Sequence, residues 1–187
     1  MRIVSGIHKG KKLFHSIDKN TRPLKDLTKE SIFNLLIHSN FVNIDLNNSN
    51  VLDLFSGIGS FGLECLSRNA KHVTFVENYK PAIEVFKKNI KNLKILNNYK
   101  LIEKDIYKQN FFNFLNDKFD LIFIDPPYKE ERINILSTLI YENKILNKNS
   151  LIIIHRNKKS IDKISDKFKI IDERNYGISK IIFCKLK

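Results

Sequence analysis

From residue 50 onward the apolar positions come in short dense runs, and the stretches between them space their apolar residues as helices do. NVLDLF (50–55), HVTFVE (72–77), YKLIEKD (99–105), FDLIFID (119–125) and SLIIIH (150–155) predict strands. GLECLSR, PAIEVFKKNIKNL, NFFNFLN and INILSTLIYENKIL predict the helices between them. Short apolar strands alternating with helices imply a parallel sheet covered on both faces. Two more strands, FKIID (168–172) and KIIFCKL (180–186), are joined only by ERNYGIS. That connection is too short for a helical crossover, so these two pair antiparallel.

Ahead of this repeat the pattern differs. RIVSGIHKGKKLFHS alternates apolar with basic residues around two glycines, as a small hairpin does. In TRPLKDLTKESIFNLLIHS, Pro23 suits a helix first turn, and Leu27, Ile32, Leu35 and Leu36 follow at near-helical spacing. The polar stretch NIDLNNSN then separates this unit from the sheet. The expectation is one domain over 1–187, with residues 1–45 as an extension within it.

Composition narrows the function classes. The 187 residues, 42% of them hydrophobic, can bury a sizeable core. Cys65 and Cys184 are the only cysteines, which argues against a disulfide framework or a paired-cysteine zinc site and for a reducing, cytoplasmic setting. No apolar run approaches a membrane span, and MRIVSGIHKGKKLF lacks the apolar core of a signal peptide. A soluble protein with no membrane partner is expected. Lys plus Arg number 33 against 20 acids, a net charge of +13. Such a field attracts polyanions, nucleic acid foremost, although the Asn- and Lys-rich stretches also suit an A/T-rich genome. His8, His15, His38, His72 and His155 show no metal-ligand spacing, and no metal is expected.

The first strand runs into Ser56-Gly57-Ile58-Gly59-Ser60-Phe61-Gly62, a G-x-G-x-x-G turn between a strand and a helix. Glu77, at the end of the next strand, stands where an acid accepts bonds from ribose hydroxyls. An adenosine-type nucleotide is the expected ligand. The turn alone leaves NAD and S-adenosylmethionine open. Asp53 favours the second, because a carboxylate inside the strand suits an ammonium group and would repel a pyrophosphate. Asp105 is placed to take a bond from an adenine amino group or to cap the helix that follows.

At 125–128 the fourth strand ends in Asp-Pro-Pro-Tyr. In a doubly wound sheet that edge faces the crevice beside the glycine turn. A nucleobase amino group is a poor nucleophile, since its lone pair is delocalised into the ring. Asp125 can accept one of its hydrogens, and the carbonyl of Pro126 can accept the other, its direction held by the Pro126–Pro127 pair. The nitrogen lone pair then points at a methyl donor, while Tyr128 offers a ring on which an extruded base can stack.

DPPY resembles the motif of amino-group methyltransferases that use S-adenosylmethionine. DLFSGIGSFGLECLSRNA (53–70), RIVSGIHKGKKL, TRPLKDLTKESIFNLL and the ending ERNYGISKIIFCKLK are similar to segments of the bacterial methyltransferase D family of 16S rRNA. The resemblance implies a seven-stranded Rossmann-like class I methyltransferase sheet, α/β and mostly parallel, with an antiparallel C-terminal hairpin and an N-terminal β-hairpin and helix that dock RNA. It implies methyl transfer from S-adenosylmethionine to N2 of guanine 966 in 16S rRNA; an assembling small ribosomal subunit as the partner and a monomeric protein are expected with it. Carried over by position, Asp53, Gly57 and Gly59 would hold the methionine portion of the cofactor, with Phe55 and Ser56 in the same turn. Glu77 would hold the ribose, Asp105 and Ile106 the adenine, and Asp125, Pro126, Pro127 and Tyr128 the target base.

Phosphate contacts would come from the basic N-terminal segment: Lys9, Lys11, Lys12, Arg22, Lys25 and Lys29, with Arg2 and His8 beside them. The chain departs from the family pattern at Ser5, where a glycine is usual, and at Leu27 and Lys29, where arginines are usual. Three other readings stay open. They are an N6-adenine methyltransferase acting on RNA or DNA, a nucleotide-dependent oxidoreductase, and a non-catalytic RNA-binding module.

Overall fold

The structure is a computed structural model that describes residues 1–15, 24–40, 42 and 44–187. In chain order its elements are α1 (Asp26–His38), β1 (Asn50–Leu54), α2 (Ser60–Ser67), β2 (His72–Val76), α3 (Lys80–Leu93) and β3 (Tyr99–Ile102). A short 3₁₀ turn (Phe111–Phe114), β4 (Phe119–Ile124), α4 (Ile133–Glu142), β5 (Leu146–Asn157), β6 (Phe168–Tyr176) and β7 (Ser179–Leu186) follow. The seven strands form one sheet in the order β3-β2-β1-β4-β5-β7-β6. The first five run parallel, and β7 pairs antiparallel with both β5 and β6. The strand order reverses between β1 and β4, so a crevice opens at their carboxyl ends. No helix among the described residues is long and apolar enough to cross a membrane.

The unbroken apolar runs of the inner strands follow from burial on both faces. On one face Val51, Val73, Leu121, Phe123 and Ile153 meet α2, α3 and the N-terminal unit. On the other Leu52, Ile122, Ile124, Ile152 and Cys184 meet α4 and the 3₁₀ turn. Phe61 of α2 stacks on Phe123 of β4, centroids 3.9 Å apart, and on Phe33 of α1 at 5.1 Å. Each such pair adds about 0.5–1.5 kcal/mol beyond its area and ties three elements to one face.

Several expectations need correction. NFFNFLN does not form a helix but the single 3₁₀ turn, bounded by Asn110 in the left-handed region and by extended Leu115. Burial of Phe111 at 1% exposed holds it without further turns. The helix expected to reach residue 146 ends at Glu142, where left-handed Lys144 turns the chain into a longer β5.

The N-terminal hairpin forms as expected but is short, with one antiparallel bridge between Arg2 and Lys12 and N–H bonds from Ile3 to the Lys11 carbonyl, Gly10 to Ile3 and Leu13 to Met1. Further N–H groups of this segment bond to α2. Val4 and Ser5 donate to the Glu64 carboxylate at 2.7 and 2.9 Å, and Ile7 donates to the Ser67 carbonyl at 2.8 Å. Gly6 makes this approach possible, since a Cβ there would lie 1.7 Å from the Ser67 carbonyl oxygen.

In α1 the inward face carries Thr28, Lys29, Ile32, Phe33 and Leu36, whereas Leu27 is 79% exposed. Lys29, expected at an RNA surface, is fully buried. Its ammonium donates to the Arg2 carbonyl at 2.6 Å and lies 3.4 Å from Glu64. Burial lowers its pKa while Glu64 and Asp26 oppose the shift. It staples α1 to α2 and cannot meet a phosphate. Pro23 and Arg22 lie outside the described residues.

Candidate active site

β1 leaves the sheet at Leu54 and turns through three positive-φ residues, Phe55 (56°), Gly57 (55°) and Gly59 (83°). The glycines of the motif perform different work. A Cβ on Gly62 would lie 2.3 Å from the Phe75 ring, and one on Gly59 2.6 Å from the Phe86 ring. These two let α2 sit close on β2 and α3. A Cβ on Gly57 would meet nothing within 4 Å, so only this glycine bares backbone to open space.

Glu77 accepts the Gly57 N–H at 2.7 Å on one oxygen and the Asn78 and Tyr79 N–H groups at 2.8 Å on the other. Three of the carboxylate's roughly four acceptor positions are thereby taken, which holds it rigid and leaves room mainly on Oε2. Asp53, 1% exposed, accepts the Gly62 N–H at 2.9 Å. Burial pushes its carboxyl well above the usual carboxylate range against the pull of that bond, and Asp125 and Glu77 push it further.

A cleft of about 650 Å³ opens over this turn at the strand ends, within the range of small-molecule sites. It brings together Asp53, Phe55, Ser56, Gly57, Glu77 and Asp105 with all four residues of Asp125–Tyr128. Gly59 and Ile106 are not in its wall. Gly59 packs on Phe86, and Ile106 is 3% exposed within the core beneath α4. Asp105 lines the cleft and also accepts the Tyr107 N–H at 2.9 Å, so it caps its own turn.

The cleft suits a cationic adenosine-type ligand. Five carboxylates line it (Asp53, Glu77, Asp105, Asp125 and Glu130), Gly57 gives close backbone approach, and Ser56 Oγ is buried without a partner among the described residues. Among those residues no group of three or more His, Cys, Asp or Glu could hold a metal ion.

At the far side of the cleft, Asp125 continues from β4 with its N–H on the Leu54 carbonyl at 3.2 Å. The Pro127 carbonyl accepts bonds from Glu130 N–H at 2.9 Å and from Arg156 at 3.2 Å, whereas no donor among the described residues reaches the Pro126 carbonyl. Tyr128 is half-buried beside them.

Five residues at this side escaped the sequence reading. His155 Nδ1 lies 2.8 Å from Asp125 Oδ1, and Arg156 holds the loop. Arg132 stacks 3.7 Å over the Tyr107 ring and pairs with Glu130 at 2.8 Å through two nitrogens. Burial, with Glu130 adding to it, raises the Tyr107 phenol, and the Arg132 guanidinium lowers the Glu130 carboxyl. The available signal was positional: His155 and Arg156 close the strand that follows the DPPY strand.

The N-terminal unit borders the cleft through His15 and Leu24. Lys9, Lys11, Lys12 and Lys25 are exposed on it, and buried Lys29 is not part of that surface.

The family model described as Conserved hypothetical protein 95 matches residues 1–185. The chain belongs to that family. It is 32% identical to the "Ribosomal RNA small subunit methyltransferase D" of Haemophilus influenzae, over 95% of this chain and 90% of that protein. It is 34% identical to the "Putative rRNA methyltransferase YlbH" of Bacillus subtilis, over 85% and 84%. The methyltransferase D resemblance read from the sequence is thereby shown. Among solved structures, "Putative methyltransferase yhhF from Escherichia coli" superposes with a TM-score of 0.81 over 100% of this chain and 98% of that one. At 22% identity that likeness shows the fold alone, a mostly parallel seven-stranded α/β sheet.

Proposed function

We propose that this chain transfers a methyl group from S-adenosylmethionine to the exocyclic N2 amino group of a guanine in 16S rRNA, at position 966 by family likeness. The observation that carries the reading is the meeting of Asp125–Tyr128 with the Gly57 turn, Asp53 and Glu77 in one cleft. Membership of the family and its named rRNA methyltransferases support RNA as the substrate.

The cofactor supplies an electrophilic methyl on a sulfonium. The chain supplies geometry. Asp53 and the bared Gly57 backbone hold the methionine end, Glu77 the ribose, and Asp105 with the neighbouring backbone the adenine. Asp125 and the Pro126 carbonyl each accept one hydrogen of the amino group. The nitrogen is drawn towards a tetrahedral shape with its lone pair aimed at the methyl. Tyr128 stacks on the base. Rate enhancement here comes from positioning and electrostatics, with no covalent intermediate.

Residues 1–45 act as the docking extension, with Lys9, Lys11, Lys12 and Lys25 against phosphates. The protein acts as a monomer in the cytoplasm on an assembling small subunit. The test is incubation with labelled S-adenosylmethionine and either assembled small subunits or naked RNA from cells lacking the modification, followed by mapping of the methyl group. Label on a guanine N2 of 16S rRNA supports the reading. Label on an adenine, or on neither substrate, sinks it.

A further inference from the structure

Two consecutive residues at the end of β5 reach the DPPY loop by different routes. Ile124 and Ile154 are cross-strand partners in the parallel β4–β5 ladder, so Asp125, the first residue past β4, lies beside His155, which β5 still holds in its ladder with β7. His155 is 5% exposed, with Nδ1 2.8 Å from Asp125 Oδ1 and Nε2 buried without a partner among the described residues. Arg156, 2% exposed, donates to the Pro127 and Glu130 carbonyls and is held in turn by Asp162 at 3.0 Å.

We propose that His155 is a positioning residue for the transfer, donating from Nδ1 to Asp125 Oδ1 so that Oδ2 is the oxygen presented to the amino group. This rests on the reaction proposed above. A carboxylate is two-fold about its last torsion, and without a partner its two oxygens exchange freely. An ionised carboxylate only accepts, so a hydrogen bond between these two groups places the imidazole proton on Nδ1. Leaving Nε2 unpartnered in the interior is unfavourable, since buried polar atoms are ordinarily paired. The ring sits there nonetheless, with its other nitrogen on the DPPY acid. Arg156 complements it by fixing the backbone of the same loop, so side chain and carbonyls are set from one strand end.

The test compares His155→Leu with His155→Asn, whose amide N–H can reach the same oxygen. His155→Leu should lower kcat about 10- to 100-fold, the scale of a lost charge-assisted hydrogen bond, with cofactor Kd and RNA KM within about threefold. His155→Asn should recover most of that loss. Unchanged kcat in the leucine variant, equal losses in both variants, or a cofactor Kd that weakens in step with kcat would each overturn the proposal.

Nitrogen-15 shifts of the ring give an independent reading. The Nδ1-protonated tautomer is expected in the wild type, with mixed tautomers in Asp125→Ala. An Nε2-protonated ring in the wild type would overturn the proposal. If the wild type transfers no methyl group at all, the proposed reaction falls, while the ring shifts still decide whether His155 donates to Asp125.

Discussion

The two halves of the cleft are built in opposite ways. On the glycine-turn side two acids are held by backbone N–H groups: Gly62 on Asp53, and Gly57, Asn78 and Tyr79 on Glu77. On the Asp125–Tyr128 side the loop after β4 is held by side chains from elsewhere, with His155 on Asp125 and Arg156 on Pro127 and Glu130. The bracing on the glycine-turn side therefore comes from backbone between 1 and 20 residues away in the chain. A strand that ends in two prolines lacks N–H groups and must borrow its bracing from β5.

The largest expected effect breaks the borrowed half. Arg156→Met leaves Asp162 buried and unpaired and frees the loop carbonyls. It should destabilise the fold by about 3–5 kcal/mol, measured by denaturant unfolding. Where the variant is folded, methyl transfer should fall much further than cofactor affinity.

Asp125→Ala removes one acceptor without touching the glycine turn. Transfer should fall by about 10²- to 10³-fold or more, with cofactor binding by calorimetry largely intact. A collapse of cofactor binding would erase the distinction between the two halves.

Within the self-braced half the glycines should separate. Gly62→Ala drives a Cβ into Phe75 and should destabilise by about 1–3 kcal/mol, read from the shift in unfolding midpoint. Gly57→Ala meets open space, so its cost is the left-handed backbone alone, about 1 kcal/mol, while cofactor affinity drops more sharply.

Asp53→Asn gives the smallest and most diagnostic shift. The folded carboxyl titrates above its unfolded value. Its stability contribution is thus full below the unfolded pKa, roughly 4, and is lost as pH rises through the raised folded value. The unliganded asparagine variant should therefore gain on the wild type as pH rises towards neutrality, in paired unfolding curves. Its affinity for a cationic cofactor should fall, because the charge that welcomes the ammonium is gone. An unliganded wild type that holds its stability as well as the variant would place Asp53 outside a dry site.

Much of this was legible in the chain because it is local. Strand and helix periods, the glycine turn and the acid-proline pair are all set by residues within a few positions of one another. Lys29 was misread because a lysine in a basic, helical stretch looks solvated. Only the packing of α2 puts Glu64 against it. The N-terminal hairpin was legible, but its docking was not, since Val4, Ser5 and Ile7 donate to the Glu64 carboxylate and Ser67, about sixty residues away.

The sequence by itself determined the alternating α/β order, the turn that bares Gly57, and the two acceptors at the end of β4. Those depend on backbone conformational preference and on side-chain period, which short segments carry alone. Only the tertiary structure decided which lysine is buried, that Gly59 serves packing, and that His155 and Arg156 stand beside Asp125. Each of those depends on which strand or helix lies alongside, and strand pairing between β4 and β5 joins residues that the chain separates by a whole crossover.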